Sequence, residues 1–408
     1  MLGFFVLIRY STILFCSRYK FQEVFMYERV AIVGVGWAGF RSTTPEISYK
    51  ELMYEAAIRA YADAGVDPRA DVESFVTVAE DFHEGTSIFD EYVPDQIGGV
   101  LKPVHTITGD GLHGLAAATM LIRTGLFDIV AVEGHSKASN ILTLPEITAH
   151  AQDPVLNRPL RLNTEFVAGL EMNRYMHDVG TTSEQCAAVV VKNRFNALNN
   201  PSAAYGADID INDVLYGPPL TWPLGRRETS QHADGSIVMV LASDKVARSL
   251  SDMPVWIIGI GWTNGAASLE SRDWSSAPYL NKAARMAYQQ AGIGSPILEI
   301  DFAEVDDTYA YKELQSLEAI GIFLPGEAGD RVLDGYTTPE GEFPVNVSGG
   351  SLGCGHLLEA TGLARALEVV LQLRGQAGSR QLEDVEIGLA QSWRGVPTTS
   401  GAVAILSN

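Results

Sequence analysis

The chain repeats itself. Residues 30–37 read VAIVGVGW and residues 255–262 read VWIIGIGW, identical or exchanging Val for Ile at nearly every position. EAAIRAYADAGV (55–66) then returns as KAARMAYQQAGI (282–293), so that Ala56, Ala57, Ala60, Tyr61, Ala64 and Gly65 match Ala283, Ala284, Ala287, Tyr288, Ala291 and Gly292. Two matches in the same order at nearly the same separation predict two similar halves, 27–253 and 254–408.

Each half carries the same succession. An apolar strand ends in Gly-x-Gly-Trp, and an Ala-rich helix closes at a C-cap glycine, Gly65 or Gly292. A β-rich run (75–79; 300–305) ends in acids, Glu80-Asp81 and Asp306-Asp307. A Gly-rich turn, a long helix (114–126; 357–374) and another strand (128–133; 386–391) follow. Continuous apolar strands alternating with helices need sheets covered on both faces, which predicts an α/β fold of two packed, pseudo-symmetric halves. Residues 136–220 have no counterpart in the second half and read as an inserted loop region. It holds one clear helix, 182–198, opened by cap chemistry at Thr181-Thr182-Ser183-Glu184.

Composition limits the partners. With 29 Lys and Arg against 50 Asp and Glu, the formal charge is −21. Broad nucleic-acid or anionic-membrane surfaces need clustered cations, so neither partner is expected, although a local basic site for one phosphorylated ligand is compatible. Cys16, Cys186 and Cys354 form no C-x-x-C, which predicts neither a disulfide framework nor a metal site and fits a reducing cytoplasm. Residues 3–8 (GFFVLI) and 13–16 (ILFC) are interrupted by Arg9, too short and broken for a membrane helix and without a signal-peptide cleavage site. Residues 1–25 read as a mis-called start or a disordered arm.

Gly34-Val35-Gly36-Trp37-Ala38-Gly39 has the spacing of a dinucleotide-binding turn. That chemistry requires the glycines to open a helix whose N-terminus holds the pyrophosphate. Here residues 41–45 intervene, and the second copy lacks the third glycine. The glycines are expected to serve a sharp turn or close packing.

Residues 346–363 read NVSGGSLGCGHLLEATGL. Gly349, Gly350 and Gly355 crowd around His356 at the expected start of the 357–374 helix. Backbone amides at such a turn can cradle an oxyanion or phosphate, and a helix N-terminus favours a neutral, hydrogen-bond-donating imidazole. The alternative is a turn histidine capping the helix.

This string, N346-x-S-G-G-x-L-G-x-G-H-x-x-x-A-T-G362, resembles the His-bearing motif of thiolases, particularly the sterol-carrier-protein type. Asp234-Gly235-Ser236, the TTSEQCAAVVVKNRFNALNNP segment and the ending QSWRGVPTTSGAVAIL resemble that family too, so the resemblance spans residues 27–408. It implies a five-layered αβαβα fold, a homodimer and an acyl-CoA thioester as substrate, with no covalently bound cofactor. In active thiolases the turn matching Gly109-Asp110-Gly111-Leu112-His113-Gly114 carries the nucleophilic cysteine, which places Gly111 at the cysteine position and His113 at the serine position. The second catalytic cysteine falls around Ser392-Trp393, and an oxyanion motif falls on Asp306-Asp307-Thr308-Tyr309. His356 stands unchanged, although the usual following proline is Leu357.

A thiolase needs a thiolate for its acyl-enzyme. Cys354 occupies no family nucleophile position and reads as a small packed residue or an unusual nucleophile. The resemblance to steroid side-chain aldolases, which also lack both cysteines, implies retro-aldol cleavage of a β-hydroxyacyl-CoA. That reaction needs a base for the hydroxyl proton and donors for the enolate oxygen. The candidates are Asp306 or Asp307 as base, or alternatively a strand-end turn or helix cap; His356 as thioester donor; and Tyr309 or His113 as proton donor, or packing. Arg226-Arg227 are candidates for the CoA phosphates or a solvated pair. The competing functions are a non-catalytic acyl-CoA-binding subunit and an acyltransferase using Cys354. The resemblance also makes a small zinc-ribbon/OB-fold acyl-CoA-binding protein an expected partner.

Overall fold

A computed structural model describes residues 28–84, 88–395 and 399–408; the expectation for residues 1–25 lies outside them. The strands are β1 (Val30–Arg41), β2 (Ser74–Val78), β3 (Val104–Ile107), β4 (Ile129–Lys137), a small ribbon of β5 (Pro219–Thr221) and β6 (Leu224–Gly225), then β7 (Asp234–Ser243), β8 (Val255–Asn264), β9 (Phe302–Glu304), β10 (Ile387–Arg394) and β11 (Ser400–Ser407). Apart from the ribbon they follow the order β3-β2-β4-β7-β1-β8-β11-β10-β9.

The duplication is visible in that order. β1 meets β8 at only two residue pairs, Ala31↔Trp256 and Ile32↔Val255. Outward from this join the first half runs β1-β7-β4-β2-β3 and the second β8-β11-β10-β9. Ala303 adds a parallel bridge to Val345 where the first half has β3.

Strand alternation sorts the side chains into layers. Val30 and Ile32 join an inner core with Leu112, Leu115, Leu363 and Val370, while Ala31 and Val33 join an outer core with Ala56 and Ala60. Helix Tyr49–Ala64 covers the outer face of the first sheet and helix Pro278–Ala291 that of the second. Helices Gly111–Arg123 and Thr361–Leu373 fill the middle layer. The result is the five-layered αβαβα architecture.

The repeated glycines have a packing cause. A Cβ on Gly36 would lie 2.2 Å from Ala56 O, and one on Gly261 would lie 2.2 Å from Ala283 O. Glycine on the strand and alanine on the helix let the two backbones nearly touch. β1 runs unbroken through Gly34, Gly36 and Gly39, and the next helix begins only after Ser48, which forms a capping box with Glu51. No helix N-terminus is available there for a pyrophosphate.

The inserted region is more helical than its sequence suggests. Besides Ser183–Asn196, with Thr182 as its cap, it contains Thr164–Val179. Glu171 breaks the apolar stripe of that helix, but it is buried against Lys312 at 2.7 Å. Among the described residues no helix is long and apolar enough to cross a membrane.

Candidate active site

The middle-layer helices bring the two halves together at their N-termini. Asp110 accepts from Leu112 N at 3.0 Å, capping its own helix, and from Gly362 N at 2.9 Å at the start of the other. The contact leaves no room for side chains. A Cβ on Gly111 would lie 2.5 Å from Leu363 N.

A cavity of about 560 Å³ opens beside this junction. One wall is apolar, with Ile141, Leu144, Val167 and Leu220 from the inserted region. The other is polar, with His83, Asp110, His232, His356, Glu359 and Arg394. The turn that reaches the cavity is Gly109-Asp110, just before Gly111. No cysteine is among the described residues that line it.

His356 is fixed by backbone on both sides. Its N–H donates to Gln231 O at 2.7 Å, and its carbonyl accepts from Ala233 N at 3.0 Å. Leu358 N donates to Nδ1 at 3.2 Å, leaving the imidazole proton on Nε2. Burial, reinforced by His232, Arg365 and His83, lowers its pKa well below the ordinary value. The neutral donor state therefore has a different main cause from the expected helix terminus. Only a 3₁₀ turn, Leu358–Ala360, follows His356, and the long helix starts at Thr361.

Of the candidate residues named from the sequence, His356, Tyr309 and Arg226 line this cavity, as do Thr308 and Trp393 from the matched family positions. Asp306 does not: it is buried and paired with Arg365 at 2.8 Å. Asp307 caps the short helix Gly350–Cys354, accepting from Ser351 N at 2.6 Å and Leu352 N at 3.0 Å, and also from Asn193 Nδ2 at 2.9 Å. Burial, against the pull of Arg365, pushes it up to about 6. These carboxylates are committed to structure because the strand-end turn needs caps and Arg365 needs counter-charges.

The expected amide cradle is likewise spent internally. Ser351 and Leu352 donate to Asp307, Gly350 N to Ser348 Oγ, and Gly355 N to Ser351 O. Gly349, Gly350 and Gly355 have φ of 103°, 56° and 105° and pack against Ala197, Asp307 and Ala233. Gly111 and Gly114 serve close packing; a Cβ on Gly114 would lie 2.3 Å from Val78 Cγ2. His113 faces a separate cavity of about 310 Å³ with Arg394 and Asn264. Arg227 turns to Asp213, donating to its carbonyl at 2.8 Å.

Cys354 lies outside the main cavity. Its Sγ donates to Ser348 O at 3.1 Å, and burial, with Glu304 and Glu368 nearby, raises the thiol pKa far above the ordinary value. Neither feature suits a nucleophile.

The sequence reading missed His83 and Glu359. His83 Nδ1 makes a short hydrogen-bonded ion pair with Glu359 Oε1, joining the end of the first half's β2 segment to the second half's histidine turn. Burial is the largest single influence and opposes charge on His83, but the charge and hydrogen bond of Glu359, with Glu80 nearby, together hold the imidazole above its ordinary pKa. Beside them Glu80 pairs with Arg394 at 2.6 Å and is raised to about 7, mainly by burial. The available signal was Glu359 three residues after His356; nothing local marked His83.

Duplicated halves, a shared helix junction and a histidine turn beside the cavity define a thiolase-like protein. Residues 263–408 match the thiolase C-terminal domain-like family. The chain is 31% identical, over 92% of its length and 98% of the relative's, to an acetyl-CoA acetyltransferase of Methanothermobacter thermautotrophicus. It is 29% identical, over 91% of its length and 98% of the relative's, to the 17-hydroxy-3-oxo-4-pregnene-20-carboxyl-CoA lyase of Mycobacterium tuberculosis. Among solved structures, the Ltp2–ChsH2(DUF35) aldolase superposes with a TM-score of 0.76 at 27% identity, covering 93% of this chain and 97% of that one. The chain belongs to the thiolase superfamily, whose members act on acyl-CoA thioesters.

Proposed function

We propose that this protein is a C–C lyase that cleaves the bond β to a CoA thioester by a retro-aldol reaction, with no acyl-enzyme. The observation that carries this reading is the pairing of an Nε2–H donor, His356, with a cavity that among the described residues presents no sulfur. Acyl transfer through a covalent intermediate requires a nucleophile at the thioester carbonyl. Retro-aldol cleavage requires a base at the β-hydroxyl and a donor at the oxygen that becomes the enolate. His356 supplies the donor without changing protonation state. Similarity to both a CoA lyase and an aldolase supports the same reaction.

Arg226, exposed at the cavity and without an ion pair among the described residues, is the proposed phosphate contact for CoA. The apolar wall from the inserted region suits the acyl group. A homodimer in the cytoplasm, working with a small zinc-ribbon/OB-fold acyl-CoA-binding protein, completes the proposal. That the similar Ltp2–ChsH2(DUF35) aldolase has two named components supports such a partner.

The test is turnover of a panel of β-hydroxyacyl-CoAs, alone and with co-purified partners, scored by release of a carbonyl product and a shortened acyl-CoA. Denaturing mass spectrometry during turnover should show the unmodified chain. An acyl adduct on any residue defeats the proposal; tight CoA binding without cleavage supports a non-catalytic subunit instead.

A further inference from the structure

Among the described residues, four carboxylates line the cavity: Asp110, Glu165, Glu171 and Glu359. Asp110 has both oxygens engaged by Leu112 N and Gly362 N. Glu171 has both engaged, by Lys312 Nζ at 2.7 Å and by Tyr311 Oη at 3.0 Å. Glu165 is half-buried. Glu359 differs from all three. It is only 3% exposed, its Oε1 is held by His83, and its Oε2 is shut off from water and accepts no hydrogen bond from any described residue.

A buried carboxylate oxygen without a donor is destabilising. Glu359 lines the cavity, so a small turn of its side chain would let a hydroxyl or N–H on a bound molecule satisfy that oxygen. Glu359 lies three residues beyond His356, and both residues line the same cavity. A thioester whose carbonyl oxygen meets His356 can therefore present its β-position towards Glu359.

Resting on the retro-aldol reading, we infer that Glu359 is the general base for the substrate β-hydroxyl and that His83 is its positioning residue. The hydroxyl proton passes to Glu359 Oε2. The oxygen lone pair closes the new C=O as the Cα–Cβ bond breaks. The bonding pair moves onto the thioester as an enolate, whose oxygen is held by His356 Nε2–H. The proton on Glu359 then returns to the α-carbon, so the cycle closes without an added co-reactant. The substrate class narrows accordingly to β-hydroxyacyl-CoAs, because a β-keto group has no proton to give to Oε2.

The experiment compares wild type with Glu359→Gln, Glu359→Asp, His83→Gln and His356→Asn on a β-hydroxyacyl-CoA panel that includes 3-hydroxy-3-methylbutyryl-CoA, following acetyl-CoA release. Glu359→Gln should lose about a thousandfold in kcat with KM within about threefold, as for a general base. Glu359→Asp should recover part of the rate. His83→Gln should lose about tenfold in kcat at unchanged KM, with all melting midpoints close to wild type. A merely structural role would instead move the midpoints and KM together. Cleavage by Glu359→Gln within threefold of wild type, with His356→Asn impaired, overturns the base assignment and leaves the lyase reading standing. Wild-type protein that cleaves no panel member, or that carries an acyl adduct, overturns both.

Discussion

Leu358 donates its backbone N–H to Nδ1 of His356 at 3.2 Å. That one contact selects the tautomer: with Nδ1 an acceptor, the ring must carry its hydrogen on Nε2. Protonation would have to break the bond, in a place where burial already disfavours the charge.

His356→Ala should therefore lower kcat for β-hydroxyacyl-CoA cleavage by about 10²–10³-fold, the range for removing one oxyanion donor. His356→Asn, which keeps an N–H donor, should fall less. Because the folded imidazole stays neutral well below its ordinary pKa, acidification from pH 7.5 to pH 6 should not impose a His356-dependent loss. Steady-state kinetics of the two variants over that range provide the check.

Arg226→Glu should raise KM for CoA esters about tenfold with kcat nearly unchanged. A contact to the CoA phosphates is made equally in the ground and transition states. The same exchange at Arg227, which is turned to Asp213, should change KM little. A matched KM rise in both variants would assign the effect to net charge.

The repeated strand–helix contact predicts a stability difference between two glycines. Gly36→Ala forces a Cβ to 2.2 Å from Ala56 O, and overpacking of this kind is destabilising by about 1–3 kcal/mol or more. Gly65 sits at a helix C-cap with φ of 66° and open space around it, so Gly65→Ala should lose only about 1 kcal/mol. Urea unfolding of both variants measures the contrast; equal losses would contradict the packing explanation.

The architecture was legible because it rests on local repetition. Gly36 and Gly261 recur with Ala56 and Ala283, and a contact present twice in sequence is present twice in space. The cap at Thr182 was readable because its Thr-Thr-Ser-Glu string is local too. The site was less legible because its decisive partners are remote. Asp306 and Asp307 look alike in sequence to a catalytic pair, and only Arg365 and the amides of Ser351 and Leu352 commit them to structure. His83 and Glu359 are 276 positions apart, and only the packing of the halves joins them. Cys354, two residues before His356, lines a different pocket.

That position of Cys354 makes a chemical prediction. Cys354→Ala should leave cleavage within about twofold of wild type. Iodoacetamide should not inactivate the enzyme, because a thiol with a raised pKa offers little thiolate at neutral pH. Inactivation that is protected by a CoA ester and abolished in Cys354→Ala would return the residue to the mechanism.

His113 offers a stability test free of any assay for activity. Its Nδ1 accepts from Asp110 N at 3.3 Å, and burial, with Arg394 nearby, lowers its pKa to about 4. In the unfolded chain the same group titrates near 6.5. Between those values the unfolded state holds a proton that the folded state does not, so the contribution of His113 to stability falls as the pH drops. From pH 7 to pH 5 the fall is about 2 kcal/mol, at 1.36 kcal/mol per pH unit below the unfolded value. His113→Gln keeps an acceptor for the Asp110 amide at the third helical position, preserving the capping box, but does not titrate. Its stability relative to wild type should therefore improve by about that amount between pH 7 and pH 5 in urea unfolding. Parallel pH dependences for the two proteins would show that His113 is not a buried neutral imidazole.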